Sequence, residues 1–225
     1  MTTKRVTLTA ETGPFEGEIA LPPGEGRAPA VLLFQEWWGV NDHIRSLVSR
    51  LAAEGFVVFA PDLYDGKTTR DAGEAGQLMG SLDWPKALDR AKASVKWLAA
   101  HERGNGKVAV TGFCLGGALT LATASIVPEV AAAVSFYGMP DRKNFDLASI
   151  KAPILAHVAT RDDWVKPAAA EALRDDVNKA GGTMKVEQYE SDHAFVNDTR
   201  PEVYDAANAK LAWSRSVDFI KQHTS

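Results

Sequence analysis

Short, almost wholly apolar runs alternate with amphipathic segments through most of this chain, and that alternation constrains the fold more than any other feature. Ala30-Val31-Leu32-Leu33-Phe34, Phe56-Val57-Val58-Phe59-Ala60, Val108-Ala109-Val110, Val130–Tyr137 and Pro153–Ala159 have the unbroken apolar character of strands buried on both faces. Between them lie helical patterns. Asn41 or Asp42 caps a helix to about Glu54 with Ile44, Leu47, Val48 and Leu51 on one face, and Gly55 closes it. Pro85 opens another to about Ala100, after a less regular stretch over 63–84 with a helical piece near Ala72–Met79. Further helices are expected over Leu115–Ser125, Pro167–Ala180 and Val203–Ile220, with a loop and a short turn at 141–151 and a last strand over Met184–Tyr189. Ahead of all this, Val6–Thr9 and Phe15–Leu21 alternate apolar and polar residues around Thr12-Gly13-Pro14, the pattern of an antiparallel hairpin. With no linker or repeat to divide it, the chain reads as one α/β domain over 1–225: a mostly parallel sheet of about eight strands with helices on both faces.

Bulk properties exclude several classes of partner. The 225 residues carry a net charge of −4, with both signs spread along the chain and a pI near 5.8. No basic block suits nucleic acid or an anionic membrane surface, and no apolar run approaches spanning length. The N-terminus lacks the apolar run of a signal peptide. One cysteine, Cys114, precludes an internal disulfide and suits a reducing compartment. The expectation is a cytoplasmic protein, a monomer or weak homodimer, with no metal or cofactor.

That cysteine stands in Val110-Thr111-Gly112-Phe113-Cys114-Leu115-Gly116-Gly117-Ala118, where a β-branched strand turns sharply into a helix. The spacing is G-x-nucleophile-x-G, with a thiol where a hydroxyl is usual. A strand-to-helix reversal this tight strains the nucleophile's backbone and leaves no room for side chains two positions away, so Gly112 and Gly116 are required. Gly117 lets the new helix lie close to its neighbours. The turn presents the sulfur at a helix N-terminus, whose free N–H groups and dipole favour a thiolate.

In parallel sheets chemistry gathers outside the carboxyl ends of the strands, and Glu36, Asp62, Cys114, Tyr137, Asp162 and His193 each follow an apolar strand. A thiol nucleophile needs a base, and the base needs a carboxylate to fix its tautomer. The chain order nucleophile, acid, histidine is met by Cys114, Asp162 and His193; Asp163 competes with Asp162, one of them being free merely to cap the following helix. His43 and His101 fall on helices, His157 within a strand and His223 in the tail. The oxyanion donors expected are the backbone N–H groups of Leu115 and Trp37. Glu36 is unusual: a carboxylate directly after a buried strand and beside two tryptophans needs a partner.

Taken together, Gln35-Glu36-Trp37-Trp38-Gly39-Val40-Asn41, Ala60-Pro61-Asp62-Leu63-Tyr64, Gly112–Leu119, Ser135-Phe136-Tyr137-Gly138, the Asp162 loop and Ser191-Asp192-His193-Ala194-Phe195 resemble the dienelactone hydrolase (carboxymethylenebutenolidase) family of the α/β-hydrolases, over nearly the whole chain. The resemblance implies the α/β-hydrolase fold and a Cys114–Asp162–His193 triad acting on small esters or lactones. It also implies that Glu36 contacts the cysteine and helps deprotonate it when substrate binds. Family members acting on dienelactone hold its carboxylate with arginines, one a few residues after the catalytic histidine. Here Asn197 occupies that place, Arg70 is the only arginine of the 63–84 stretch, and Arg200 is nearby in sequence. Trp37, Trp38, Tyr64, Tyr137 and Phe195 are the aromatic candidates for the pocket lining, with Arg70 and Asn197 as polar ones. A thiol redox protein is the rival reading, but no second cysteine is present to resolve a sulfenic acid. A non-catalytic binding module on the same fold would have no need of an ordered nucleophile, acid and base.

Overall fold

A computed structural model describes residues 2–225. Eight strands form one sheet: β1 (Lys4–Ala10), β2 (Gly13–Ala20), β3 (Ala28–Phe34), β4 (Val57–Pro61), β5 (Gly104–Phe113), β6 (Val130–Phe136), β7 (Ile154–Ala159) and β8 (Met184–Tyr189), in the spatial order β1-β2-β4-β3-β5-β6-β7-β8. β1 and β2 are antiparallel, as is β2 to β4; every other neighbouring pair is parallel. The helices are α1 (Asp42–Ala53), α2 (Ala72–Gly80), α3 (Trp84–Ala100), α4 (Leu115–Ile126), α5 (Pro167–Lys179) and α6 (Ala206–Thr224).

The apolar runs are continuous because each strand feeds two cores. Ala30, Leu32 and Phe34 of β3 face the core covered by α3, α4 and α5, while Val31 and Leu33 face the one covered by α1 and α6. α1 starts at the Asn41 cap, whose Oδ1 accepts from the Ile44 N–H at 3.1 Å, and it buries Ile44, Leu47, Val48 and Leu51. Among the described residues no helix is long and apolar enough to cross a membrane.

Several boundaries differ from the sequence expectation, among them β2 starting at Gly13 rather than Phe15, β3 at Ala28 rather than Ala30 and α6 running to Thr224 rather than Ile220; two others have identifiable reasons. β5 begins at Gly104 rather than near Val108, because Gly104 pairs with Ala28 across a register irregularity and draws Gly104-Asn105-Gly106 into the strand. α6 begins at Ala206 rather than Val203, because the Asp205 side chain accepts from the Asn208 N–H at 3.0 Å and sets the first turn there.

Candidate active site

Cys114 follows β5, Glu36 β3, Asp162 β7 and His193 β8, so the candidate groups all leave the sheet at its carboxyl edge. At Cys114 the backbone takes φ +56° and ψ −116°, rarely adopted by a residue with a side chain. It is held there by its N–H bonding to Phe136 O at 3.0 Å and its carbonyl accepting from Ala118 at 3.1 Å. The turn closes only because glycine surrounds it. A methyl group on Gly112 would strike the Gly116 backbone, one on Gly116 would lie 2.5 Å from Phe34 O and 2.6 Å from Gln35 O, and one on Gly138 would strike Cys114 O. Cys114 is the N-cap of α4, and its side chain makes no capping hydrogen bond.

His193 Nδ1 lies 2.7 Å from Asp162 Oδ2, and the other carboxylate oxygen accepts from the backbone N–H groups of Trp164 (2.7 Å) and Val165 (3.1 Å). Asp162 is thus buried with both oxygens occupied, whereas Asp163 is exposed and pairs with Lys166 Nζ at 2.8 Å. A carboxylate facing Nδ1 assigns the hydrogen to that nitrogen and leaves Nε2 as the basic position of the neutral ring. Nε2 makes no hydrogen bond of standard geometry, while the Cys114 sulfur is near enough to act on the ring's ionisation. Burial disfavours the imidazolium, but Asp162 and Cys114 outweigh it and push the His193 pKa up to about 10.

Glu36 is 1% exposed, and its Oε2 accepts from Asn197 Nδ2 at 2.6 Å. Burial raises its pKa above the ordinary carboxylate range against the opposing influence of His43, His193, Asn197 and Arg200. Glu36, Cys114 and His193 line one cavity of about 350 Å³, walled by Trp37, Trp38, Trp164, Met79, Arg161 and Arg200. The Trp37 ring packs edge-on against Trp38 (4.9 Å between centroids) and Trp164 (6.1 Å). Tyr64, Tyr137 and Phe195 are buried behind this cavity and do not open onto it. Tyr137, at φ +39°, packs its ring 5.0 Å from His193 and 5.6 Å from Phe195 and so backs the imidazole. Leu115 is buried at the first position of α4, where helix geometry leaves the N–H without an intrahelical acceptor.

The profile of the dienelactone hydrolase family matches residues 15–224. The chain belongs to the dienelactone hydrolase family. Protein usf of Aquifex pyrophilus is 37% identical to this family member over 217 residues, 92% of this chain and 93% of that protein. The carboxymethylenebutenolidase of Pseudomonas putida is 30% identical over 231 residues, 98% of this chain and 97% of that enzyme. A crystal structure from Klebsiella pneumoniae named for the dienelactone hydrolases is 28% identical and superposes with a TM-score of 0.87, over 99% of this chain and 100% of that one. Membership carries the α/β-hydrolase fold and the carboxylic ester hydrolase class.

Within this dienelactone hydrolase family member, Asn197 bonds Glu36 and does not line the cavity that holds Cys114 and His193, and with Arg70 it lines a second cavity of about 610 Å³. The two cavities share Trp38 and Arg200. Arg200 sits with its guanidinium carbon 5.7 Å from the Trp38 ring centre and its Nε 2.8 Å from Glu202. Trp164, Arg161 and Met79 were not singled out by the sequence reasoning. Trp164 carried a usable signal, being two residues beyond Asp162 in the same strand-end loop; Met79 and Arg161 carried none.

Proposed function

We propose that this chain hydrolyses small carboxylic esters or lactones through an acyl-thioester on Cys114. The observation that carries the reading is His193: Nδ1 is tied to Asp162 at 2.7 Å, and unpartnered Nε2 shares a cavity with the sulfur and Glu36. The Cys114 sulfur attacks the carbonyl carbon, and the backbone N–H groups of Leu115 and Trp37 are the assigned donors to the developing oxyanion. His193, protonated, gives its proton to the leaving alkoxide; the neutral ring then takes a proton from water as hydroxide adds to the thioester and expels the sulfur. A thiolate leaves as easily as it attacks, so activated esters and strained or enol lactones are favoured over amides. Since Asn197 is a neutral amide engaged with Glu36, it supplies no charged fork for a substrate carboxylate. Trp37, Trp38 and Trp164 offer aromatic contact instead. The lone cysteine and mixed, mildly acidic charge support a single-domain cytoplasmic enzyme acting on small molecules as a monomer or weak homodimer.

The test is turnover of p-nitrophenyl acetate by wild type, Cys114→Ala and His193→Ala, with acid-quenched wild type examined by mass spectrometry for an acyl group on Cys114. Each variant is expected to lose about 10³-fold or more in kcat/KM. Unchanged turnover in both would remove the proposal.

A further inference from the structure

The most exposed large apolar side chain among the described residues stands at the rim of the catalytic cavity. Trp164, in the loop between β7 and α5, is 66% exposed. Its backbone has a fixed task, since the N–H donates to Asp162 Oδ1 at 2.7 Å. Any residue except proline supplies that N–H, so the tether explains a residue at this position but not an indole. Nor does core packing explain it, because a ring this exposed leaves in water the apolar area that a buried tryptophan hides.

What the indole does is wall the cavity that holds Cys114 and His193. Its centre lies 6.1 Å from the Trp37 ring at an angle of 69°, and 6.4 Å from the His193 ring. Two rings so inclined form a corner: a flat group stacked on one meets the other edge to face, and both are favoured aromatic geometries. The charges on the same rim are already paired, Arg161 with Asp192 at 2.9 Å, Asp163 with Lys166 at 2.8 Å and Arg200 with Glu202 at 2.8 Å. The corner therefore suits an uncharged ring. Its place beside His193 says which part of a substrate would occupy it. With the acyl carbon at the sulfur and the departing oxygen at the imidazole, the group carried by that oxygen is the one nearest Trp164.

We propose that Trp164, together with Trp37, binds the leaving group and makes this chain selective for esters of phenols. The inference rests on the reading that Cys114 is acylated while His193 protonates the departing oxygen. The sulfur forms its bond to the acyl carbon, the ester C–O bond breaks, the phenoxide oxygen takes the His193 proton, and a neutral phenol leaves from between the two tryptophans. Phenols are the flat members of the acidic alcohols that a thiolate displaces most readily, so ring recognition and leaving-group chemistry select the same esters. Trp164 takes part in no bond change, and once the phenol has gone it has nothing left to hold.

The experiment compares phenyl acetate with hexafluoroisopropyl acetate, whose alcohols are similar in acidity but differ in being flat and aromatic or not. Both deliver the same acetyl group to Cys114, so a difference between them reports the leaving group alone. Hydrolysis by the full-length wild type, Trp164→Ala and Trp164→Phe is followed by pH-stat, with phenol as a competitive inhibitor. Trp164→Ala is expected to lower the ratio of the two kcat/KM values, phenyl over hexafluoroisopropyl, by about tenfold and to weaken phenol inhibition by a similar factor. Trp164→Phe should hold the ratio within about threefold of wild type, since a smaller ring still stacks. An unmoved ratio overturns the proposal. So does an equal loss on both esters, which would make the indole a cover over the Asp162–His193 pair, or a changed sedimentation coefficient with the ratio unmoved, which would make it the seat of a second copy. Failure of the acyl-thioester reading shows elsewhere, as turnover surviving in Cys114→Ala, so the two failures are told apart by different variants.

Discussion

Asp162 and Asp163 are adjacent in sequence and opposite in circumstance. One is buried, gives an oxygen to His193 and has the other filled by two backbone N–H groups; the other points to solvent and meets only Lys166. An exposed pair of that kind contributes little, whereas a buried carboxylate on Nδ1 decides which nitrogen is the base. Asp162→Asn is therefore expected to cut kcat/KM by about 10³–10⁴, and Asp163→Asn by less than about twofold. A proton-NMR titration should place His193 near 10 in wild type and well below that in Asp162→Asn, since the carboxylate is the first contribution that opposes the cost of burial. Equal losses in the two variants would contradict the assignment. Cys114→Ser should also be far weaker than wild type, a hydroxyl being harder to ionise in a site arranged around sulfur. Which aspartate meets the histidine could not be read from spacing, because both follow the same strand. Nor could the partner of Glu36 be read: Asn197 is 161 positions away, and only the closing of β3 against the loop after β8 brings them together.

At the scale of elements, the elbow shows why glycine spacing was the most legible part of the site. Gly112 and Gly116 are excluded from carrying a side chain by backbone atoms, which cannot rotate away, and the motif therefore reports geometry directly. Gly116→Ala is expected to destabilise the protein by roughly 2 kcal/mol or more, since the new methyl would meet the Phe34 and Gln35 carbonyls. Gly76→Ala makes the contrast: in α2 nothing lies within 4 Å of the added carbon, and alanine's better helix propensity should add about 0.5–1 kcal/mol. Denaturant midpoints of the two variants check both signs. Strand interiors were equally legible, because burial on two faces leaves no polar alternation to mislead. The ends were less so. Gly104-Asn105-Gly106 has the composition of a turn, yet pairing with Ala28 makes it strand. Tyr137 and Phe195 read as pocket aromatics, but the positive φ of Tyr137 turns it into the same core as Phe136, and Phe195 joins it there with residues of α6, behind His193.

Over the whole molecule, two histidines at opposite depths pull stability in opposite directions with pH. His157 of β7 is fully buried, with Nδ1 2.8 Å from Tyr189 Oη and Nε2 2.8 Å from Ser216 Oγ, so it joins β7, β8 and α6. Burial, aided by Arg215 and Lys185, lowers its pKa to about 3. Its unfolded value lies near 6.5, so between those limits the unfolded chain binds a proton that the folded protein does not, and stability falls as pH drops below about 6.5. His193 has the reverse sign. With a folded pKa of about 10, its contribution is complete below its unfolded value near 6.5 and is lost as pH rises toward 10. The two effects together set a stability maximum near neutrality. Denaturant unfolding of wild type and His157→Gln between pH 7 and pH 4 isolates the first, because the other titrating groups are common to both proteins. Wild type is expected to lose on the order of 3 kcal/mol more than the variant across that interval. Parallel curves for the two proteins would show that His157 is not the group through which acid loosens the contact between the sheet and α6.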